Sequence, residues 1–268
     1  MQKIDNLFSV CEIKDLSTWK ITSRYILKFI DSKNYFVIVP DSQVDKFQNC
    51  TPREFQVVSE NLYISNDIKF RLKKNTQSPP SSYNWYLQQF IKISALYNTQ
   101  ENQLNLIWDA DTVPIKKLYF TDGSNLKFYI GSENHKPYFE TINRLLGYGK
   151  IANFSWISQC FTCRGYWIKH FISFIENKHS KNWADCLIDA IDFSVHSSFS
   201  EYETLGNFFM KNYPTEIIIL KRNWLRYGVK LLGSAKNLKY FIWLLRLRYD
   251  FIAFEKWDKN IFLTFFKN

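Results

Sequence analysis

The chain has 268 residues, of which 46% are hydrophobic and 18% aromatic, and this is enough for one large core. With 24 Phe and 16 Tyr against 8 Gly and 7 Pro, the composition excludes a disordered chain and a repeat array. The formal charge of +10 favours anionic partners, namely nucleotides, nucleic acid or an acidic lipid surface.

The cysteines and the hydropathy pattern indicate a cellular setting. Five scattered cysteines argue against a disulfide framework, and Cys160 and Cys163 lack the second pair that a structural zinc site needs. No apolar run approaches the roughly 18 residues that span a bilayer. The N-terminal residues lack the layout of a secretory signal. We therefore expect a cytoplasmic protein, at most peripheral at the inner face of the cell membrane.

The predicted elements alternate between strands and helices. In the first half, the patterns predict strands at 6–13, 35–40, 54–58 and 104–108, a loop at 75–82 and a helix at 85–97. In the second half, they predict a strand at 127–130, helices at 164–177 and 183–191, and a strand at 216–220. This alternation is typical of an α/β sheet flanked by helices.

The C-terminal part differs in composition from the rest. Because no linker-like stretch divides the chain, we predict one domain at 1–215 and a basic, aromatic-rich extension at 216–268, packed on that domain or on a membrane surface. Its basic residues are Lys221, Arg222, Arg226, Lys230, Lys236, Lys239, Arg246 and Arg248, and its aromatic residues include Trp224, Tyr227, Tyr240, Phe241, Trp243 and Tyr249.

An apolar run at 104–108 leads into two carboxylates, Asp109 and Asp111, followed by Pro114. Side chains two residues apart in a strand point to the same side, so the two carboxylates are predicted to lie together. Carboxylates that close repel each other unless a proton or a divalent cation lies between them. Mg²⁺ or Mn²⁺, which takes oxygen ligands, suits this position, although Asp-x-Asp also occurs in solvated turns.

Other polar residues are predicted near the same edge. Ligands of open α/β sheets bind at the carboxyl ends of strands, where the turn at Asp41 also lies. On the following helix, Gln88 and Lys92 share a face that could meet a diphosphate, a sugar or water. His135 precedes proline and aromatic residues, which suits a binding loop as well as an ordinary hydrogen-bonded histidine.

A second acidic segment lies at 199–207. Ser200 is a good helix N-cap, and Glu203 three residues later predicts a capping box. Glu201 has no such structural role, so it is a candidate general base. Just upstream, His196 is a candidate metal ligand or a contact to the departing phosphate.

Taken together, four segments resemble a group of little-characterised bacterial glycosyltransferases of the GT-A type. The segments are WYLQQFIK at 85–92, WDADTVP at 108–114, HKPYF at 135–139 and SEYETLGN at 200–207. Their order covers about residues 5–215. The resemblance implies a GT-A-like, Rossmann-like mixed sheet flanked by helices, with a nucleotide-sugar donor at its edge and Mn²⁺ or Mg²⁺ on the diphosphate.

The resemblance also implies roles for individual residues. Asp109 would contact the ribose or the metal, and Asp111 would ligate the metal. Gln88 and Lys92 would line the donor site, and Glu201 would deprotonate the acceptor hydroxyl in an inverting enzyme. Residues 160–162 depart from the more polar, histidine-containing pattern expected there. Asp41 and His135 complete the predicted donor-binding set.

The sequence thus predicts a hexosyltransferase-like enzyme that transfers a sugar to a glycan or lipid-linked acceptor in surface polysaccharide or lipopolysaccharide synthesis. One alternative is a haloacid-dehalogenase-like phosphatase with Asp109 as nucleophile and Asp111 as acid/base, although its motif normally lies near the N-terminus. Another is a basic nucleic-acid or membrane-binding module, which leaves the paired carboxylates unexplained. We expect no nucleic-acid partner, whereas an anionic membrane surface stays open.

Overall fold

The structure, a computed structural model, describes residues 2–76, 80–220 and 223–255, with the side chains of 80–82 excepted. The predicted basic residues Lys221 and Arg222 and the end of the predicted extension, 256–268, lie outside the described residues.

The elements are as follows in chain order. The strands are β1 (Ile4–Val10), β2 (Ser32–Val39), β3 (Phe55–Ser59), β4 (Leu104–Trp108), β5 (Thr112–Pro114), β6 (Thr121–Asp122), β7 (Asn125–Phe128), β8 (Cys160–Arg164), β9 (Ile217–Ile219), β10 (Trp224–Leu225) and β11 (Phe251–Ala253). The α-helices are α1 (Leu16–Phe29), α2 (Val44–Gln48), α3 (Asn66–Asn75), α4 (Pro80–Tyr97), α5 (Lys136–Leu146), α6 (Gly165–His179), α7 (Trp183–Ala190), α8 (Glu201–Asn212), α9 (Gly228–Leu232) and α10 (Leu238–Leu245). Short 3-10 helices cover Ile13–Asp15, Asp41–Gln43, Glu60–Leu62, Pro214–Glu216 and Ala235–Asn237.

The centre of the molecule is a sheet with the strand order β3-β2-β1-β4-β8. The first four of these strands are parallel, and β8 runs antiparallel to β4. All five residues of β4 are buried, as expected for a strand covered on both faces. Because β2 lies on one side of β1 and β4 on the other, the strand order reverses between β1 and β4. The crevice at the carboxyl ends of these two strands is the position where such sheets bind ligands.

Helices cover the sheet and supply most of its core. Helix α4 packs on β1, α6 and α8, and α6 packs on α7 and β8. Four tryptophans from different elements are fully buried in this core, namely Trp19, Trp108, Trp156 and Trp167. Large aromatic side chains contribute most apolar area, so the high aromatic content is used to fill the space between sheet and helices.

Helix α8 begins as predicted but its acidic residue has a different role. The Ser200 hydroxyl accepts a hydrogen bond from the Glu203 N–H at 3.3 Å, which confirms the N-cap. The reciprocal half of the predicted capping box is wrong. The Glu203 carboxylate accepts instead from the Ser155 hydroxyl at 2.5 Å and from the Trp156 N–H at 3.2 Å. It therefore joins α8 to the loop at 155–156.

The predicted loop at 75–82 also differs. Helix α4 begins at Pro80, five residues before the predicted start at 85, and residues 77–79 lie outside the described residues. Proline favours the first turn of a helix because its missing N–H is not needed there. Pro80, which is part of the predicted loop, therefore opens the helix instead.

The C-terminal segment folds against the strand that follows the paired aspartates. Strand β11 pairs antiparallel with β5 and parallel with β10. The Phe254 N–H donates to the Asp111 carbonyl at 2.9 Å. A second apolar cluster joins this segment to β5, and includes Val113, Leu232, Leu238, Leu245 and Ile252. The predicted boundary at residue 215 stays a prediction. None of the helices in the described ranges is both long enough and apolar enough to cross a bilayer.

Candidate active site

A cleft of about 750 Å³ opens at the carboxyl ends of β1 and β4. Six of the predicted site residues line it, namely Gln88, Lys92, Asp109, Asp111, His196 and Glu201. The cleft therefore lies at the predicted sheet edge and collects residues from segments that are far apart in sequence.

The turn after β4 positions the paired aspartates. Its geometry is held by the Trp108 indole N–H, which donates to the Thr112 carbonyl at 2.7 Å, and by the Asp109 N–H, which donates to the Gln159 carbonyl at 2.9 Å. The prediction that both aspartates point from one face of a strand is wrong, because β4 ends at Trp108 and β5 begins at Thr112. A tight turn, rather than the alternation of a strand, brings both residues to the cleft.

Lys92 lies between two carboxylates. Its Nζ donates to Asp109 Oδ1 at 2.6 Å and to Glu201 Oε1 at 2.8 Å, and the Lys92 side chain is 6% exposed. The Tyr202 hydroxyl donates to the same Asp109 oxygen at 2.7 Å. Since Lys92 comes from α4, Asp109 from the β4–β5 turn and Glu201 from α8, this ammonium joins three elements at the bottom of the cleft.

The electrostatics of this group follow from its burial and its partners. Burial lowers the pKa of Lys92, but Asp109 and Glu201 outweigh it and hold that pKa above its ordinary value. The pKa of Glu201 is raised, mainly because burial disfavours its charged form, while Lys92 lowers it. Lys92 therefore stays charged, and its assignment as a diphosphate contact stays a prediction.

Of the two paired aspartates, Asp111 has fewer polar contacts that would stabilise its negative charge. It is half-buried and lines the cleft, and its Oδ1 accepts from the Thr112 hydroxyl at 3.4 Å. Burial, with contributions from the charges of Asp109 and Glu255, raises the pKa of Asp111 to about 8. A carboxylate in such surroundings gains from a nearby cation.

The charge balance of the cleft agrees with this requirement. Among the described residues, eight Asp or Glu line it against three Lys or Arg. The acidic ones are Glu12, Asp15, Glu60, Asp109, Asp111, Glu133, Glu201 and Glu255, and the basic ones are Lys14, Lys92 and Arg226. The cleft is therefore acidic although the whole chain is basic, which fits a cation and disfavours a nucleic-acid groove.

The donor set that the chain offers to a metal is small. In the described ranges, no three or more His, Cys, Asp or Glu side chains are grouped so that they could hold an ion. Asp109, Asp111 and His196 are thus not grouped as three ligands among the described residues, and the assignment of His196 as a metal ligand stays a prediction. Mg²⁺ in enzymes is commonly held by one or two carboxylates together with substrate phosphates and water. The paired aspartates fit that kind of site, and their roles as ligands stay predictions.

Three of the predicted residues lie at the margin of the cleft or outside it. His196 is exposed at the rim, where its Nδ1 lies 2.8 Å from the Ser197 hydroxyl. Asp41 is exposed at the start of a 3-10 helix, and its neighbour Pro40 lines the cleft. His135 packs its ring against Tyr138, which does line the cleft. The predicted donor contacts of these residues stay predictions.

Sequence reasoning missed several residues that complete the site. Gln89, the neighbour of Gln88, accepts the Glu201 N–H on its side-chain oxygen at 2.9 Å and so ties α4 to the start of α8. Gln159 adopts a positive φ of 67°, which is uncommon for a residue other than glycine. Its carbonyl holds Asp109, and its side-chain amide donates to Glu255 at 3.2 Å.

The C-terminal segment contributes an ion pair to the cleft. The Arg226 Nε donates to Glu255 Oε2 at 3.0 Å, and Glu133 contacts the same guanidinium. Burial raises the pKa of Glu255, and Arg226 lowers it. The signal that could have identified this pair is the basic, aromatic-rich composition after residue 215, but composition does not show that the segment reaches the cleft.

The cysteine prediction concerns the neighbouring strand. Cys160 and Cys163 lie in β8, both are free thiols, and burial raises the pKa of each. Phe161, between them, stacks on Tyr202 with ring centroids 5.6 Å apart. The stretch that departs from the expected polar pattern therefore forms part of the apolar support beneath Tyr202.

Comparison with known proteins places the chain in a family. The profile of a family of unknown function (DUF6492) matches residues 10–217, and the chain belongs to this family. No curated protein matches it. The apo crystal structure of mouse xyloside xylosyltransferase 1 aligns with a TM-score of 0.52 over 95% of this chain and 99% of that chain, at 9% sequence identity. At this identity the similarity concerns the fold, and it confirms the predicted GT-A-like mixed sheet flanked by helices.

Proposed function

We propose that this DUF6492 protein is a metal-dependent glycosyltransferase that moves a sugar from a nucleotide-sugar donor to a glycan or lipid-linked acceptor. The observation that carries the proposal is the position of Asp109 and Asp111 in an acidic cleft at the ligand-binding edge of a GT-A-like fold. The motif resemblance supports a more specific setting, the synthesis of a bacterial surface polysaccharide or lipopolysaccharide.

The residues present fit a divalent cation. Asp111, with its raised pKa and its acidic neighbours, would hold Mn²⁺ or Mg²⁺ together with Asp109. When bound, such an ion stabilises the negative charge that develops on the leaving diphosphate. Phosphate oxygens of the donor and water would complete its coordination, since the chain itself supplies few ligands.

Lys92 organises the two acidic groups that the reaction needs. By binding Asp109 and Glu201 at once, it holds the diphosphate side and the acceptor side of the cleft at a fixed spacing. Its charge also lowers the pKa of Glu201, which burial raises. We assign Lys92 a positioning role rather than a direct contact to the reacting atoms.

Glu201 is the proposed base. In an inverting transfer, the acceptor oxygen forms the new bond to the anomeric carbon while the bond from that carbon to the diphosphate oxygen breaks. The hydroxyl proton passes to the Glu201 carboxylate, whose Oε1 accepts a hydrogen bond from Lys92. A positioned base of this kind typically contributes about 10²–10⁴-fold in rate.

The phosphatase alternative finds no supporting observation in the site. Its nucleophile would be Asp109, whose Oδ1 accepts hydrogen bonds from both Lys92 and Tyr202. Trapping of a phosphoryl group on Asp109, or phosphatase turnover without any sugar donor, would favour it over glycosyl transfer.

A thermal-shift screen of nucleotide sugars with and without Mn²⁺ tests the proposal on the full chain. A donor present at about 100 times its dissociation constant stabilises the folded state by about 2.7 kcal/mol. For a chain of this size, that raises the Tm by roughly 5–10 °C. We expect this shift to require the metal and to disappear in Asp111→Asn.

The matched control is Asp189→Asn, because Asp189 is an exposed carboxylate on α7, away from the cleft. This control should keep the metal-dependent shift. Retention of the shift in Asp111→Asn, or the absence of any metal-dependent donor, would contradict the proposal.

A further inference from the structure

Helix α10 is apolar on two opposite faces. One face, formed by Leu238, Ile242 and Leu245, packs into the second apolar cluster. The spacing of these residues is i, i+4 and i+7, which places them on one side of an α-helix.

The opposite face is exposed and also apolar. Tyr240, Trp243 and Leu244 repeat at i, i+3 and i+4 on α10, so their side chains lie on one stripe of about 100°, and Leu247 follows at i+7 in the turn after the helix. Trp243 is 62% and Leu247 76% exposed. Leu231 on α9 and Phe241 on α10 are also exposed, and we call the six residues the C-terminal apolar face, namely Leu231, Tyr240, Phe241, Trp243, Leu244 and Leu247. Large exposed apolar side chains that cluster in this way mark interaction surfaces.

In the sequence, basic residues flank these apolar positions, and no acidic residue lies among them. The sequence from 226 to 249 contains six Lys or Arg and no Asp or Glu. Within the described ranges, the ion pairs of this region involve Lys116 and Arg226, and none involves Lys236, Lys239, Arg246 or Arg248. These four residues are exposed, so their charge is available to an anionic partner.

We propose that the C-terminal apolar face docks on the surface of an anionic lipid bilayer. Exposed aromatic and leucine side chains on one stripe, bordered by lysine and arginine, are the combination that binds at the boundary between headgroups and acyl chains. Tyrosine and tryptophan suit that boundary because each has an apolar ring and a polar group. A purely apolar partner would not require the flanking charge, and a polyanion such as nucleic acid would not require the leucines.

The docking face is connected directly to the cleft. Strand β11 follows α10 within six residues and pairs with β5, the strand that begins directly after Asp111. Glu255, two residues after β11, lines the cleft. Binding of this face to a bilayer would therefore hold the cleft at a fixed position relative to the lipid. The binding itself does not depend on the proposed glycosyl transfer.

Sedimentation of the full chain with vesicles tests the proposal. One set of vesicles contains phosphatidylcholine alone, and the other contains phosphatidylcholine with about a third phosphatidylglycerol. We expect the protein to bind the anionic vesicles and to bind the neutral ones more weakly. Raising sodium chloride to about 0.5 M should release it, because at that salt concentration charges are screened within a few ångströms. Each basic residue near an anionic surface contributes about a five-fold gain in affinity, so Lys239→Gln/Arg246→Gln should weaken binding about 25-fold.

A second variant, Trp243→Gln/Leu247→Gln, removes two of the most exposed apolar side chains of this face. It should weaken binding to anionic vesicles by about tenfold or more, because less apolar area is then buried in the bilayer. The matched apolar control is Leu62→Gln/Phe70→Gln, which removes side chains that are 68% and 66% exposed elsewhere on the surface. The matched charge control is Lys73→Gln/Lys74→Gln on α3. Both controls should bind like the unchanged protein.

Equal vesicle binding by the unchanged protein and the Trp243→Gln/Leu247→Gln variant would overturn the proposal. So would a dimer in solution that this variant converts to a monomer, since the face would then be covered by a second copy of the chain. Circular dichroism and thermal unfolding confirm that each variant is folded.

Discussion

Replacing Lys92 with methionine would remove the ammonium between Asp109 and Glu201 while keeping the length of the side chain. Methionine fills nearly the same volume as the lysine stem, so the change tests charge rather than packing. Lys92 Nζ is 2.6 Å from Asp109 and 2.8 Å from Glu201, and neither Lys92 nor Glu201 has more than 6% of its side chain exposed.

The expected cost follows from leaving buried carboxylates without a cation. Removing one partner of a buried ion pair costs about 3–5 kcal/mol. For a chain of this size, each kcal/mol corresponds to roughly 2–4 °C in Tm, so the variant should unfold about 6–20 °C lower. The loss should be larger at pH 8 than at pH 5, because at the lower pH the unpaired carboxylates can take up protons.

Two further variants separate this effect from a general loss of stability. In Lys92→Met/Glu201→Gln, one of the unpaired charges is gone, and part of the lost Tm should return. In Lys181→Met, a lysine of an equally short but exposed ion pair with Asp189 is removed, and no measurable change in Tm is expected. A Tm for Lys92→Met equal to that of Lys181→Met, or a double variant less stable than Lys92→Met, would refute the reasoning.

Four other predictions follow from the site and its support. Burial, with Asp109 and Glu255, raises the pKa of Asp111 to about 8, so the folded chain holds a proton that the unfolded chain releases near pH 4. The protonated Asp111 side chain stabilises the fold fully below about pH 4, and this contribution is lost as the pH rises through 8. Asp111→Asn should therefore raise the Tm of the metal-free protein at pH 9 by a few degrees. An unchanged or lower Tm would contradict the charge assignment. Because a metal must displace that proton, Mn²⁺ affinity measured by calorimetry should rise about tenfold per pH unit from 6 to 8, and a flat profile would remove Asp111 from the metal site. For catalysis, Glu201→Gln should keep metal-dependent donor binding and reduce the rate of sugar transfer by about 10²–10⁴-fold. The control Glu140→Gln, at an exposed residue, should change neither property. A normal transfer rate in Glu201→Gln would make the base assignment wrong. Finally, a Cβ at Gly206 on α8 would overlap the Trp156 ring, so Gly206→Ala should cost about 1–3 kcal/mol in urea unfolding, while Gly149→Ala, where the added Cβ meets nothing within 4 Å, should cost far less.

Where the sequence pattern was strong, the prediction matched the structure closely. Strand β4 was predicted at 104–108 and lies at Leu104–Trp108, because a fully buried strand is a continuous apolar run bounded by polar residues. Helix α7 was predicted within one residue of its observed end, since its buried residues follow the period of a helix. The sequence alone therefore locates the carboxyl end of β4.

The elements that were missed show why other parts could not be predicted in the same way. Helix α1 buries Thr22 and Ser23 beside Trp19 and Ile26, so its core face does not stand out as apolar. Strand β8 is buried at four of its five residues, but its short Cys-Phe-Thr-Cys-Arg pattern has neither alternation nor length. Helix α5 is also absent from the predicted elements, although it carries two signals in the sequence, a proline in its first turn and Gly147, in a left-handed conformation, after its end.

The candidate site shows the same division. Asp109, Asp111 and Glu201 could be selected from motifs, and the structure brings all three to one cleft. Arg226 and Glu255 could not be, because they reach the cleft only through the pairing of β11 with β5, about 140 residues apart in the chain. The positive φ of Gln159 is also set by tertiary contacts, since nothing in its residue type favours that conformation.

We propose that Asp109 and Asp111 hold a divalent ion that binds the diphosphate of an activated sugar. A crystal of the full chain soaked with Mn²⁺ and a nucleoside diphosphate, with anomalous scattering recorded for manganese, tests this binding most directly. We predict one anomalous peak beside the Asp111 carboxylate, about 2.2 Å from its oxygen and from a diphosphate oxygen, and no such peak in Asp111→Asn. A diphosphate bound outside this cleft, or manganese bound away from both aspartates, would contradict the account.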